Sequence, residues 1–155
     1  TKQIHENYNF SDKIKYQIVD AKKINFPENS FDVVFAKSVL GFFDDDDRRI
    51  IMDEIYRVLR PGGFFLFAEN MKGNFFHQLA RKLFVRWGKK WNYLSQDNLI
   101  EMFSKFDVKK IYYTGVLTLF FTRNKMLYKL ALILDYCLFF IPNNLKYVSY
   151  GYISK

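Results

Sequence analysis

The chain has 155 residues, half of them hydrophobic and rich in Phe (18) and Tyr (11), which excludes a disordered segment and suffices for one domain with an aromatic core. The single Cys137 excludes an internal disulfide, and neither His5 nor His77 has a Cys nearby to complete a metal-ligand spacing. The net charge of +8 is unevenly placed: residues 1–70 hold 10 Lys/Arg against 12 Asp/Glu, whereas residues 71–155 hold 14 against 4.

In chain order, residues 1–9 have helical polarity with Ile4 as the one clear aliphatic anchor, and read as the tail of a longer helix. Residues 14–19, IKYQIV, alternate Ile14, Tyr16 and Ile18 with polar neighbours and predict a strand ending at Asp20. A loop carrying Pro27, Asn29 and Ser30 follows. FDVVFA, residues 31–36, has Val33, Val34 and Phe35 in succession, as in a strand covered on both faces. The acid cluster Asp44–Asp47 suits the positive end of a helix running from about Asp46 to Leu59. Arg60-Pro61-Gly62-Gly63 stops that helix, since Pro cannot continue it and Gly tolerates positive φ. FFLFAE, residues 64–69, is then a third strand, parallel to the second through a right-handed crossover.

The second half is less regular. Residues 74–87 predict an amphipathic helix with Phe75, Leu79, Leu83 and Trp87 on one stripe. Ser95 caps a helix from about Gln96 to Phe103, and residues 108–123 read as one long strand or a pair broken at Gly115. Residues 126–141 are the most apolar run. As a helix they would cover ~24 Å against a bilayer core of ~30 Å, and Lys129 and Asp135 interrupt them, so no transmembrane span is expected. Residues 71–103 and 124–144 are expected to form lid or outer-layer helical segments, and YVSYGYISK a last strand. Cys137, in its apolar setting, is expected to be a buried thiol, which with the cysteine usage points to a reducing, cytoplasmic location. The basic second half fits a solubilising surface, peripheral contact with an anionic membrane or substrate, or nucleic acid; no nucleic-acid motif accompanies it, which disfavours the last.

Alternating α/β elements place ligands beyond the carboxyl ends of the strands, here Asp20-Ala21, Ala36-Lys37-Ser38 and Glu69-Asn70. Together, VDAKKINFPENSFDVVFAKSVLGFF, EIYRVLRPGGFFLFAEN and YLSQDNLIEMFSKF form an ordered set that resembles the class I S-adenosylmethionine-dependent methyltransferases, in their small-molecule group. The resemblance implies a Rossmann-like α/β sheet of strand order 3-2-1-4-5-7-6. Residues 14–19 would be strand 3 and residues 31–36 strand 4. The glycine-rich loop after strand 1 and the ribose-binding acid after strand 2 are not in this sequence. The expected fold is therefore an incomplete sheet, its central first two strands absent, with added helices in the C-terminal half. Such a sheet would either leave a gap or pair strands that are not normally neighbours.

The same resemblance implies that Asp20 accepts a hydrogen bond from the adenine amino group of S-adenosylmethionine and that the Ala21 amide lies at the ring edge. It implies that Ala36 and Lys37 line the methionine end. The alternative for Asp20 is a turn former, and for Lys37 a solvated charge. Many relatives carry His at the positions of Gly41 and Phe42; with neither present here, no residue is assigned as catalytic. The implied activity is methyl transfer to a small-molecule or lipid-linked acceptor, with a noncatalytic binding or scaffolding role as the alternative.

Overall fold

The computed structural model describes residues 13–84, 91–121 and 124–155. The expected helix tail at 1–9, Trp87 and Arg123 lie outside the described residues. Four strands form one mixed sheet: β1 Phe31–Lys37, β2 Leu59–Asn70, β3 Asp107–Thr114 and β4 Val148–Ser154, in the order β1-β2-β4-β3. β1 and β2 are parallel, with Val34 opposite Phe65 and Ala36 opposite Phe67. β4 is antiparallel to both of its neighbours. With β1 as strand 4, this is the 4-5-7-6 half of the anticipated order.

The helices are α1 Asp45–Val58, α2 Phe75–Phe84, α3 Gln96–Met102 and α4 Lys125–Cys137. Helix α1 starts where Asp44 accepts a hydrogen bond from Asp47 N at 2.9 Å, a cap worth about 1 kcal/mol. Three further acids in its first turn complement the positive helix end. A capping box of Ser95 and Asn98 starts α3. Both helices bury their apolar sides on one face of the sheet. Ile51, Met52 and Ile55 of α1 and Leu99 of α3 join Phe65, Phe67, Phe103 and Ile153 in a single core cluster. Phe67 and Phe103 meet at 4.8 Å between ring centroids. The Pro-Gly-Gly turn is tied to the last residue: Gly62, at φ +75°, donates to Lys155 O, and Lys155 N returns a bond to Gly63 O.

Several expectations are corrected. Residues 14–19 form no strand; Asp20 makes only an isolated bridge to Lys23, and the Ile18 side chain is fully exposed. Extended chain becomes a strand when its backbone groups find a ladder. The partner for this segment would be strand 2, so it stays outside the sheet rather than pairing with β1. The sheet is covered on one face only among the described residues, because α1 and α3 share that face while Phe35, Val33 and Phe64 on the other remain exposed. Residues 108–123 are not one strand: β3 ends at Thr114, Gly115 takes φ +81°, and Thr118–Phe121 form a 3-10 turn. Cys137, expected to be buried, is exposed at the end of α4.

Candidate functional site

The carboxyl ends of β1 and β2 meet at a tightly held turn. Beyond Lys37 the chain reverses through Ser38, at φ +53°, and enters a 3-10 turn at Leu40–Phe42. Ser38 N donates to Ala68 O at 2.8 Å, and Asn70 Nδ2 to Ser38 Oγ at 3.2 Å. Glu69, only 1% exposed, accepts Val39 N at 2.9 Å and Leu40 N at 3.1 Å on one carboxylate oxygen. The carbonyl side of the turn is held by Arg48, whose Nε donates to Leu40 O at 3.0 Å, and by Asn92 N, which donates to Gly41 O at 2.7 Å. Arg48 also bonds Asp45 and the Asn92 carbonyl. The turn is thus clamped through its N–H groups from the sheet and through its carbonyls from Arg48 of α1 and from Asn92. Burial pushes the Glu69 carboxyl above the usual carboxylate range, against the opposing pull of the backbone amides and Arg48.

Gly41 has a specific reason to be glycine. A Cβ there would lie 1.9 Å from Trp91 Nε1, because the indole lies directly over it. Trp91 is itself buried and packs on Phe42 at 4.1 Å between centroids. A histidine at position 41 would need the space the indole fills. Next to this turn a cleft of about 470 Å³ opens between Asp44, Asp45, Lys72, Trp91, Tyr93 and Asn98.

Asp20 and Ala21 form a second turn on the same side of the sheet. Asp20 Oδ1 accepts Lys22 N at 2.9 Å, and Lys23 N bonds Asp20 O at 3.0 Å. Lys22 pairs with Asp47, in the first turn of α1, at 3.2 Å. The segment that follows is pinned to α1: Ile24 N donates to Glu54 Oε2 at 2.8 Å, and Arg57 bonds both Glu54 and the Ile24 carbonyl. Arg57 holds the Glu54 carboxyl below its ordinary range. Ala21 and Ala36 are both half-buried against the same core cluster, whereas Lys37 and the Asp20 carboxylate are exposed. The fold therefore brings the two pairs of residues to one end of the molecule. It also brings in Glu69, which the sequence marked only as a strand-end position, and Arg48 and Trp91, to which sequence reasoning assigned no role. The available signal was a lone acid, Glu69, closing an otherwise apolar strand.

A family model described as "Methyltransferase domain" matches residues 1–67. A sterol 4-C-methyltransferase of Caenorhabditis elegans is 37% identical over 68 residues, which is 44% of this chain and 20% of that protein. Phosphoethanolamine N-methyltransferase 2 of the same organism is 36% identical over 61 residues, 39% of this chain and 14% of its own length. The matched region thus spans about a fifth or less of these two curated relatives. Among solved structures, geranyl diphosphate C-methyltransferase from Streptomyces coelicolor A3(2) superposes over 99% of this chain and 56% of its own, with a TM-score of 0.65 and 11% identity. The family model thus covers under half of the chain, and the low identity to the solved structure makes that likeness one of fold: the chain carries part of a methyltransferase-like α/β sheet.

Proposed function

We propose that the protein carrying this chain transfers a methyl group from S-adenosylmethionine to a small-molecule or lipid-linked acceptor. The observation that carries the reading is the clamped turn beyond β1, set beside the 470 Å³ cleft at the ligand-binding end of a class I sheet. The cofactor supplies an electrophilic methyl group on a sulfonium, so the protein's task is chiefly to align the acceptor and exclude water. The residues present fit that cofactor. Asp20 presents an exposed carboxylate, an acceptor for an amino group, on a turn anchored to α1, with the half-buried Ala21 beside it. Ala36 and Lys37 lead into the rigid turn that would border the methionine end. With glycine at position 41 beneath an indole and phenylalanine at 42, neither position supplies a general base. The names of the sterol and phosphoethanolamine relatives, and the geranyl diphosphate held by the structural neighbour, support an acceptor of lipid-like character.

The test is equilibrium binding of S-adenosylmethionine to the full-length protein by calorimetry, with Asp20→Asn as the informative variant. Asparagine keeps the Oδ1 acceptor that the Lys22 amide needs, so the turn survives. It sets an N–H group against the adenine amino group. The expected result is binding weakened about tenfold or more, in line with loss of a hydrogen bond to a charged acceptor. Unchanged affinity would reduce Asp20 to a turn former, and no binding at millimolar cofactor would favour the noncatalytic reading.

A further inference from the structure

Helices α2 and α4 are built inside out. In α2 the buried side chains are His77, at 0% exposed, and Arg81, at 5%. The His77 ring accepts Asn74 N on Nδ1 at 3.1 Å, donates from Nε2 to Val116 O at 2.6 Å, and stacks on Phe120 at 5.3 Å. Arg81 donates to Met71 O at 2.6 Å and lies 3.9 Å from the Tyr93 ring centroid. The opposite side of α2 presents Phe75, Phe76, Leu79 and Leu83, all exposed. In α4 the inward residues are the buried Ala131 and, one turn on, Asp135, whose carboxylate accepts Val116 N, Leu117 N and Thr118 N at 2.8 to 3.1 Å. Outward stand Met126, Leu130, Ile133 and Tyr136 at helical spacing, with Phe139 and Phe140 beyond the helix end, again exposed. Both helices are therefore fastened by their polar sides to the single turn at 116–120, at the same end of the sheet as the clamped turn. Their apolar sides face outward.

The cations outside this apolar surface choose its partner. Lys82 on α2 and Lys125 and Lys129 on α4 are exposed. Residues 71–155 contain only four acids, and of these Asp135 points inward while Asp97 and Glu101 are on α3 and Asp107 begins β3. A second copy of the chain would bring like-charged lysines together; an anionic lipid surface would accept the apolar stripes and the lysines at once. We infer that the outer faces of α2 and α4 dock on an anionic membrane. No helix among the described residues is long and apolar enough to cross one, so the contact is with its surface. The inference deepens the lipid-linked reading of the acceptor, since docking would set the cleft end of the sheet toward the bilayer.

The experiment is cosedimentation of the full-length protein with vesicles of phosphatidylcholine alone and of phosphatidylcholine mixed with phosphatidylglycerol. The variants are Leu79→Asp with Ile133→Asp, and Lys82→Gln with Lys125→Gln and Lys129→Gln. All five side chains are exposed, so circular dichroism should show the fold intact. The expected result is tighter binding to the anionic vesicles, weakened at least about tenfold by the aspartates and about fivefold per lysine removed. Binding to neither vesicle, or anionic binding that survives both sets of changes, overturns the inference. So does a dimer that the aspartates convert to monomer without altering vesicle binding, which would assign the face to a second copy. Cofactor affinity is measured on the same preparations, so failure of the unmodified protein to bind vesicles while it binds cofactor counts against docking alone, and vesicle binding without cofactor binding counts against methyl transfer alone.

Discussion

Replacing Gly41 by alanine tests the packing at the candidate site directly. The new Cβ would lie 1.9, 2.2 and 2.8 Å from Nε1, Cε2 and Cδ1 of Trp91. Contacts of this kind settle at roughly 3.5–4.0 Å, so the indole must retreat by about 1.5 Å or more. It has little room to do so: Trp91 is 8% exposed, Phe42 covers it, and the next residue is fastened by Asn92 N to Gly41 O and by Arg48 to the Asn92 carbonyl. Overpacking of this order costs about 1–3 kcal/mol. Trp91→Ala alone should cost about 3–5 kcal/mol through lost burial and the cavity left behind. In the double variant the alanine at 41 meets no ring. The combined loss should therefore fall short of the sum by about 1–3 kcal/mol. Urea unfolding of the full-length protein and the three variants, followed by circular dichroism, gives the cycle, with Trp91→Leu as a milder second arm. Additivity to within about 0.5 kcal/mol would refute the reasoning, because it would mean that the indole does not lie over Gly41.

Three further outcomes follow from the ionisable groups. Burial lowers the His77 pKa from its ordinary value, with Arg81 adding to the effect and the Val116 bond and Asp135 opposing it. The unfolded chain then takes the proton first, so the stability tied to neutral His77 is present above about pH 6.5 and is lost as pH falls toward the folded value. His77→Gln should flatten this part of the stability–pH curve; parallel curves for wild type and variant would disprove it. Glu69 behaves with the opposite sign, because burial raises its pKa. The folded protein holds that proton more tightly, so the cost of ionising Glu69 accrues as pH rises from the ordinary glutamate value through the folded one. The stability of Glu69→Gln relative to wild type should accordingly climb across that window in denaturant titrations, and a flat difference would show that the carboxyl is not desolvated. Glu69→Ala, which strands the Val39 and Leu40 amides, should cost about 2–4 kcal/mol by the same measurement, and a loss below about 1 kcal/mol would mean the amides find other partners.

Much of the fold was legible from local signals. The apolar runs at 31–36 and 64–69, the acids before α1, the Ser95 cap and the Arg-Pro-Gly-Gly stop all act within a few residues of where they stand, so their elements appear as read. The positions of Asp20, Ala21, Ala36 and Lys37 followed from that alternation and from the family resemblance. Other features depended on partners distant in sequence. IKYQIV has strand alternation yet finds no ladder among the described residues, and Lys15 to Ile18 stay exposed. Glu69 could be seen as a charge at a strand end, but not as the group that holds the turn 30 residues upstream. Nor could a glycine and a tryptophan 50 positions apart be paired by inspection.

What the amino-acid sequence determined by itself, then, is most of the elements, their alternation, an apolar stripe on α2 and an apolar run over α4. Tertiary structure decided which side of each stripe faces inward. Periodicity marks a stripe without saying where water is. In α2 and α4 the inward side went to His77, Arg81 and Asp135, because the backbone groups at 71–72 and 116–118 that can satisfy them lie on the sheet side. That requirement to pair buried polar groups turned Phe75, Leu79 and Ile133 outward, and it is the physical reason the apolar sides of these two helices form an exposed surface.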